Sequence, residues 1–318
     1  MPFLATPMSL ERAADLIRAH FPAYEIHSIE AMGHQGWGGD SDAFTVNAAD
    51  IFRFPRYDSV REALAVEAAL LPLLAPVLPL PIPHFTLVAH EGTGEESDGL
   101  SLFVGYPRIE GLQLTPERFQ KLAPIVQRRF AEQLGEFIGA LQRFPVPVAR
   151  RAGVPIMEDA RAQLGAFYAC VREQLFPLLS ERERLWVRDL LERLLADPAN
   201  FAFEPVLSHS DLSGDHIIYD PDTLTLTGII DFGDVQWGDP VLDFTGLLRE
   251  YGSVFYGQAV ESSSLHLDEN AKQRLHFYLR RGPLLQMLHG VSAGRTADID
   301  EGRRQLRFGS PIDERARP

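Results

Sequence analysis

The feature that most constrains this chain is a change of hydrophobic period near residues 107–111. Before it, apolar residues alternate with polar ones in short runs, roughly Glu25 to Met32, Ala43 to Asn47, Asp50 to Phe54, Phe85 to Ala89 and Leu100 to Tyr106. That period of two is the mark of strands with one buried face. After it, the apolar positions 122, 126, 130, 134, 137, 138 and 141 predict one long amphipathic helix over Thr115 to Arg143. A second helical block runs from Glu158 through Leu195, a short β-rich stretch from Val206 to Ile230, and a last helical part to about Arg307. Two helices punctuate the first third. One is capped by Ser9, with Ala13, Leu16 and Ile17 on one face. The other spans Ser59 to Leu74 and carries Glu67, and the prolines between Pro76 and Pro83 keep the next segment out of a helix. The expected class is α+β, with a small β-rich N-terminal lobe (1–106), a connector (107–111) and a larger helical C-terminal lobe (112–318).

Charge narrows the partners. The 318 residues hold 30 Lys plus Arg against 44 Asp plus Glu, a net charge of −14, which is the wrong sign for a nucleic-acid or anionic-membrane binder and suits a cationic small molecule. Cys170 is the only cysteine, so no intramolecular disulfide framework or multi-cysteine zinc site forms. Residues Met1 to Pro7 lack the basic and apolar regions of a signal peptide, and the longest apolar stretch, Leu70 to Pro83, is interrupted by five prolines. A soluble cytoplasmic protein is therefore expected. Lys121 and Lys272 are the only lysines and neither follows a glycine-rich loop, so a Gly-Lys-Ser/Thr phosphate loop is absent. His-Glu-x-x-His, Gly-x-Ser-x-Gly and Ser-x-x-Lys are absent too.

The chemistry concentrates in His209-Ser210-Asp211-Leu212-Ser213-Gly214-Asp215-His216 and in Asp231-Phe232-Gly233-Asp234. Between them, Asp220-Pro221-Asp222-Thr223 is a turn between two apolar alternating runs, which predicts a hairpin. Pairing symmetric about 221 and 222 returns Asp231 opposite roughly Leu212. One metal-dependent hydrolase arrangement could use the same residues, His209, Asp211, Asp215, His216 and Asp231.

This pattern resembles the catalytic loop of eukaryotic-type kinases, His-x-Asp with a ligand five residues later and then Asp-Phe-Gly. The nearest resemblance is to the aminoglycoside phosphotransferase family, in its 2″-phosphotransferase branch, where His can stand at the ligand position. The resemblance implies a protein-kinase-like two-lobe fold and transfer of the γ-phosphate of ATP or GTP to a hydroxyl of an aminoglycoside-like acceptor. Asp211 would be the catalytic carboxylate that handles the hydroxyl proton, and His216 and Asp231 would hold Mg2+ on the phosphates. His209 would support the loop.

By the same resemblance the first lobe clamps the nucleotide. Arg53, in Ile51-Phe52-Arg53-Phe54, stands where the family has a phosphate-binding lysine, and Glu67 would pair with it. Gly38 and Ser41, at the end of the cluster Gly33-His34-Gln35-Gly36-Trp37-Gly38-Gly39-Asp40-Ser41, would offer backbone amides to phosphate. Tyr106 and Ile109, in the hinge, would read the purine through backbone groups. For the acceptor the candidate acids are Asp215, Asp234, Glu250, Asp300 and Glu301. Asp239 is expected to cap a helix ahead of Pro240, Asp243 to anchor the catalytic loop, and Leu242, Leu247 and Leu248 to lie in the core. A different class, a nucleotide-binding sensor or pseudokinase with little transferase activity, uses the same fold.

Overall fold

A computed structural model describes residues 8–32, 41–90 and 101–308. Ser9 caps α1 (Leu10–His20), its side chain accepting from the Arg12 backbone N–H at 3.2 Å. The alternating runs become β1 (Ile29–Ala31), β2 (Ser41–Val46), β3 (Asp50–Pro55), β4 (Leu87–His90) and β5 (Ser101–Pro107). They form one antiparallel sheet in the order β1-β2-β3-β5-β4. Alternation decides the two faces. Phe44, Val46, Phe52, Phe54 and Phe103 bury one face under Ala13 and Ile17 of α1. On the other face lie Ile51, Val104 and Tyr106, packed with Leu64 of α2 (Asp58–Leu74). Arg53 shares that second face, so its side chain points at α2.

Past the connector, β6 (Leu112–Gln113) pairs with β8 (Ile217–Asp220), and β8 pairs with β9 (Thr225–Ile229). A second antiparallel pair joins β7 (Val206–Ser208) to β10 (Gln236–Gly238). Around these small sheets stand α3 (Pro116–Phe119), α4 (Pro124–Gln142), α5 (Val146–Arg151), α6 (Ala160–Gln174), α7 (Glu181–Ala196), α8 (Leu242–Ser263), α9 (Ala271–Ala293) and α10 (Thr296–Phe308). The main core runs from Leu70, Leu71 and Leu74 through Phe130, Leu134, Phe137 and Leu141 of α4 to Phe232, Phe244 and Leu247. Burying each such side chain contributes about 1.5–3 kcal/mol over leaving it exposed. Leu242 and Leu248 are buried as expected. Among the described residues no helix is long and apolar enough to cross a membrane.

Three expectations change. The single helix over Thr115 to Arg143 is two helices, because Pro124 lacks the N–H that a continuing helix needs and restricts Ala123 before it. Asp239 does not cap α8, whose N-cap is Val241. Its carboxylate instead accepts from the Val241 backbone N–H at 3.1 Å and from Arg274 Nε at 2.7 Å. The hairpin register also shifts. Ile217 faces Ile229 and Ile218 faces Gly228, with a bulge before Tyr219 and a turn of four residues. The Ile230 N–H then donates to the His216 carbonyl at 2.9 Å, which sets Asp231 beside His216 rather than opposite Leu212. An extra residue in one strand moves everything beyond it.

Candidate active site

Asp211 to His216 form a loop between β7 and β8, held from below by α8. Asp243, on the first turn of α8, accepts from Ser208 Oγ at 2.7 Å and from the Ser210 backbone N–H at 2.9 Å. Burial pushes the Asp243 carboxyl up to about 6, with the Ser210 and Ser208 hydrogen bonds opposing. This is the loop-anchoring role expected of it. α8 comes close enough for this because Gly246 faces the Leu212 carbonyl, where a Cβ would stand only 2.0 Å away. Ser210 lies in the left-handed region, φ 69°, as does Asp231, φ 65°. For residues with a Cβ that conformation is strained; the Asp211 and Asp231 side chains beside these points are half-exposed.

His209 is fully buried, and as a neutral ring its Nε2–H donates to the Ile230 carbonyl at 3.0 Å. Burial and the neighbouring His216 hold its pKa down to about 4, so it supports the loop as an uncharged ring. His216 Nδ1 donates to the Asp211 carbonyl at 2.7 Å and lies 3.5 Å from Asp211 Oδ2, while its Nε2 faces Asp231 Oδ2 at 3.6 Å. Burial draws the His216 pKa down, but Asp231 and Asp211 together outweigh it and raise it. Burial raises Asp211, with His216 opposing. Burial also works to raise Asp231, but Arg53 and His216 prevail and lower it.

Across the cleft, Arg53 Nη1 donates to Glu67 Oε2 at 3.0 Å and its Nη2 lies 3.4 Å from Asp231 Oδ1. The expected pair is therefore formed, and it reaches the Asp-Phe-Gly segment. Burial tends to lower the Arg53 pKa, yet Glu67 and Asp231 raise it on balance. Burial lifts Glu67 to about 7 against the pull of Arg53. Tyr106 is buried, its backbone paired in register with Ile51 and its side chain on the same sheet face as Ile51. Ile109 is half-buried against Gly228. The Ser41 hydroxyl is buried without a hydrogen-bond partner among the described residues, at the end of β2. Gly38 and its glycine cluster lie outside the described residues.

A divalent cation fits the residues that face one another here. With Nδ1 committed as a donor, Nε2 of His216 faces the Asp231 carboxylate, and once the ring is neutral its Nε2 lone pair and that carboxylate can share a bound cation in place of the proton. Magnesium takes one or two protein ligands and completes its shell with phosphate and water. Among the described residues no three His, Cys, Asp or Glu side chains converge as a metal cage, which the hydrolase arrangement would need.

The acceptor candidates fall in two places. Asp215 is exposed, Glu250 accepts from the Gly214 backbone N–H at 2.6 Å, and Asp234 is exposed just beyond Gly233. Asp300 and Glu301 sit on α10, where Glu301 accepts from Arg304 and Gln305. Among the described residues no hydrogen bond or ion pair joins those two acids to residues 209–216 or to Asp231. Sequence reasoning did not single out Arg249, whose Nη2 lies 2.9 Å from Glu250 Oε1, or Arg274, the partner of Asp239. The first was adjacent to a residue already chosen. The second left no local signal.

The Arg53–Glu67 pair reaching Asp231, a strained Asp-Phe-Gly segment and a loop with an exposed Asp211 are the arrangement of a kinase-like phosphotransferase class. Comparison with known proteins agrees. The profile of the phosphotransferase enzyme family, APH, matches residues 36–279. The structure of the GDP and kanamycin complex of APH(2″)-IIIa superposes with a TM-score of 0.84 at 31% identity, over 93% of this chain and 97% of that one. The GDP complex of the wild-type aminoglycoside phosphotransferase IIIa gives 0.84 at 30% identity, over 95% and 99%. Viomycin phosphotransferase of Streptomyces vinaceus is 25% identical over 205 residues, 64% of this chain and 67% of that protein. This chain belongs to the APH phosphotransferase enzyme family.

Proposed function

We propose that this protein transfers the γ-phosphate of ATP or GTP to a hydroxyl of an aminoglycoside-like small molecule. The observation that carries the proposal is the convergence of Asp211, His216, Asp231, Arg53 and Glu67 along one cleft, every link between 3.0 and 3.6 Å. Residues 1–106 act as the nucleotide-clamping lobe, 107–111 as the hinge, and 112–318 as the lobe holding the catalytic loop and the acceptor.

Arg53, oriented by Glu67 and backed by Tyr106, offers two N–H donors to the nucleotide phosphates, a fork where a lysine would act as a point charge. Ser41, at the start of β2, offers its buried hydroxyl and backbone to the same phosphates, and the hinge at Tyr106 and Ile109 receives the purine. His216 and Asp231 would hold Mg2+, which supplies charge compensation on the phosphate oxygens. Asp211 accepts the proton as the acceptor oxygen bonds to the γ-phosphorus and the bond to the β-phosphate oxygen breaks, leaving a phosphate ester and a nucleoside diphosphate. Asp215 is on the loop that carries Asp211, Glu250 is bonded to that loop at Gly214 and Asp234 follows the Asp231 segment, whereas Asp300 and Glu301 are on α10. Related structures containing GDP support GTP as the first donor to try.

The test is magnesium-dependent nucleotide consumption by the purified protein, with ATP and GTP separately, against aminoglycosides, viomycin and macrolides. Stimulation by an acceptor together with a phosphorylated product is expected. Nucleotide binding without transfer to any of them would favour the sensor reading.

A further inference from the structure

The turn that delivers His216 is gripped from two sides. Ser213 to His216 close tightly, with the His216 backbone N–H donating to the Ser213 carbonyl at 3.0 Å. From β6, Gln113 Nε2 donates to the Asp215 carbonyl at 2.9 Å. From α8, Glu250 Oε2 accepts the Gly214 N–H at 2.6 Å, a short charge-assisted bond between residues 36 apart in the chain. The approach is close: a Cβ on Gly214 would stand 2.5 Å from the Leu114 carbonyl and 2.8 Å from both Glu250 Oε2 and the Tyr251 hydroxyl. Tyr251 donates to that same carbonyl at 2.6 Å, and directly after it α8 leaves helical geometry at Gly252, φ 86° and ψ 176°.

Glu250 is therefore badly placed for the role that its charge suggests. Its side chain is only 16% accessible, and its other oxygen, Oε1, takes the Arg249 guanidinium at 2.9 Å. A carboxylate engaged at both oxygens meets a cationic acceptor only by giving up bonds already made. The His216 ring has one tie of its own, Nδ1 to the Asp211 carbonyl at 2.7 Å, which sets its direction. Where that ring stands opposite Asp231 depends on the backbone beneath it, and Gly214 is the point at which α8 holds that backbone. Gly214 is buried, so without Glu250 its N–H is orphaned and the turn is driven to move toward water.

We propose that Glu250 is a positioning residue: its hydrogen bond to Gly214 fixes the turn that presents His216 to the magnesium nucleotide, and the acceptor does not read its charge. The inference rests on the kinase reading and moves Glu250 from the acceptor site to the support of the metal site. Asp215, exposed on the same turn, is left as the loop's acid for a cationic acceptor. Losing an outer partner that orients a metal ligand costs about 10- to 100-fold in metal affinity, and Glu250, acting through two peptide units, falls at the low end.

The experiment separates the bond from the charge with Glu250→Gln, Glu250→Asp and Glu250→Ala. Gln keeps the length and an oxygen that accepts from Gly214 but loses the charge; Asp keeps the charge and falls one methylene short. Calorimetry with a non-hydrolysable ATP or GTP analogue, with and without magnesium chloride, reads the metal site without turnover. Hydrogen–deuterium exchange of the peptide holding Gly214 reads the bond itself. Glu250→Ala and Glu250→Asp should lose about tenfold of the tightening that magnesium gives, keep the metal-free affinity, and exchange faster at Gly214. Glu250→Gln should retain most of that tightening and most of the protection, and the Kd for kanamycin should not follow the charge at position 250. Should Glu250→Ala fail to fold, the Gln and Asp variants decide alone. The inference is overturned if magnesium tightens binding equally in all the variants, or if Asp behaves as wild type while Gln behaves as Ala and binds kanamycin more weakly. Failure of the kinase reading has a separate signature, seen before any variant is made: no magnesium-dependent nucleotide binding in wild type.

Discussion

Two arginines, one buried and one partly buried, organise this protein, and they are built differently. Arg274 is 1% accessible and saturated. Its Nε meets Asp239 at 2.7 Å, its Nη1 and Nη2 meet the two Asp268 oxygens at 2.8 and 2.6 Å, and its face lies over Phe203. Arg53 is less complete. It has one good bond to Glu67, a longer approach to Asp231, and a Glu67 Oε1 that is buried without a hydrogen-bond partner. A saturated buried pair has nothing left to offer and ties α9 to the start of α8. An unsaturated one beside a half-exposed carboxylate is a site that something else completes.

The largest test of that contrast lies at the open side. Asp211→Ala should lower kcat by about 10²- to 10⁴-fold, the scale of losing a general base, while nucleotide binding by calorimetry stays near wild type. Unchanged turnover would remove Asp211 from the chemistry.

Next in size is the saturated arginine. Arg274→Ala leaves Asp239 buried without its cation, so the urea midpoint should fall by an amount equal to about 3–5 kcal/mol. The nucleotide KM should not move. A changed KM with intact stability would reverse the assignment of the two arginines.

Arg53→Ala should behave the other way, weakening nucleotide affinity about ten- to a hundredfold, the worth of charge-assisted hydrogen bonds, and Arg53→Lys should restore part of it. Arg53→Ala with wild-type affinity would mean that the guanidinium does not touch phosphate.

The smallest effect is in pH. Asp268, hydrogen-bonded by Arg274, has its carboxyl held below its usual 3.8, so its stabilisation is full above that value and lost as pH falls through the folded-state value. Asp243, raised by burial from 3.8 to about 6, acts in the opposite sense: its contribution is full below 3.8 and lost as pH rises through about 6. Thermal melts of Asp268→Asn should flatten the acid limb, and melts of Asp243→Asn the limb between about pH 4 and 6. Matching profiles for the two variants would contradict both shifts.

What could be read in advance follows from distance along the chain. The family resemblance named Arg53 and Glu67 as a pair, and the structure shows how it forms: Arg53 lies on the sheet face away from the aromatic core, toward α2. The Asp-Pro-Asp-Thr turn correctly announced a hairpin. Its register was not legible, because a bulge beside Tyr219 obeys packing rather than pattern. Nor could Asp239 be told from an ordinary cap, since its partner lies 35 residues away on another helix.

The sequence by itself determined the class of fold, the loop that carries Asp211 and His216, and the residue types that phosphoryl transfer needs, because period, turn chemistry and spacing are local properties of the chain. Only the tertiary structure decided which charge meets which. Glu250 closes on Gly214 and Arg249 instead of facing an open cleft, Arg53 extends to Asp231, and Arg274 closes on Asp239 and Asp268. Those pairings depend on how α8 and α9 dock and where α8 breaks at Gly252, and docking is settled by the burial of whole faces rather than by any one residue's neighbours.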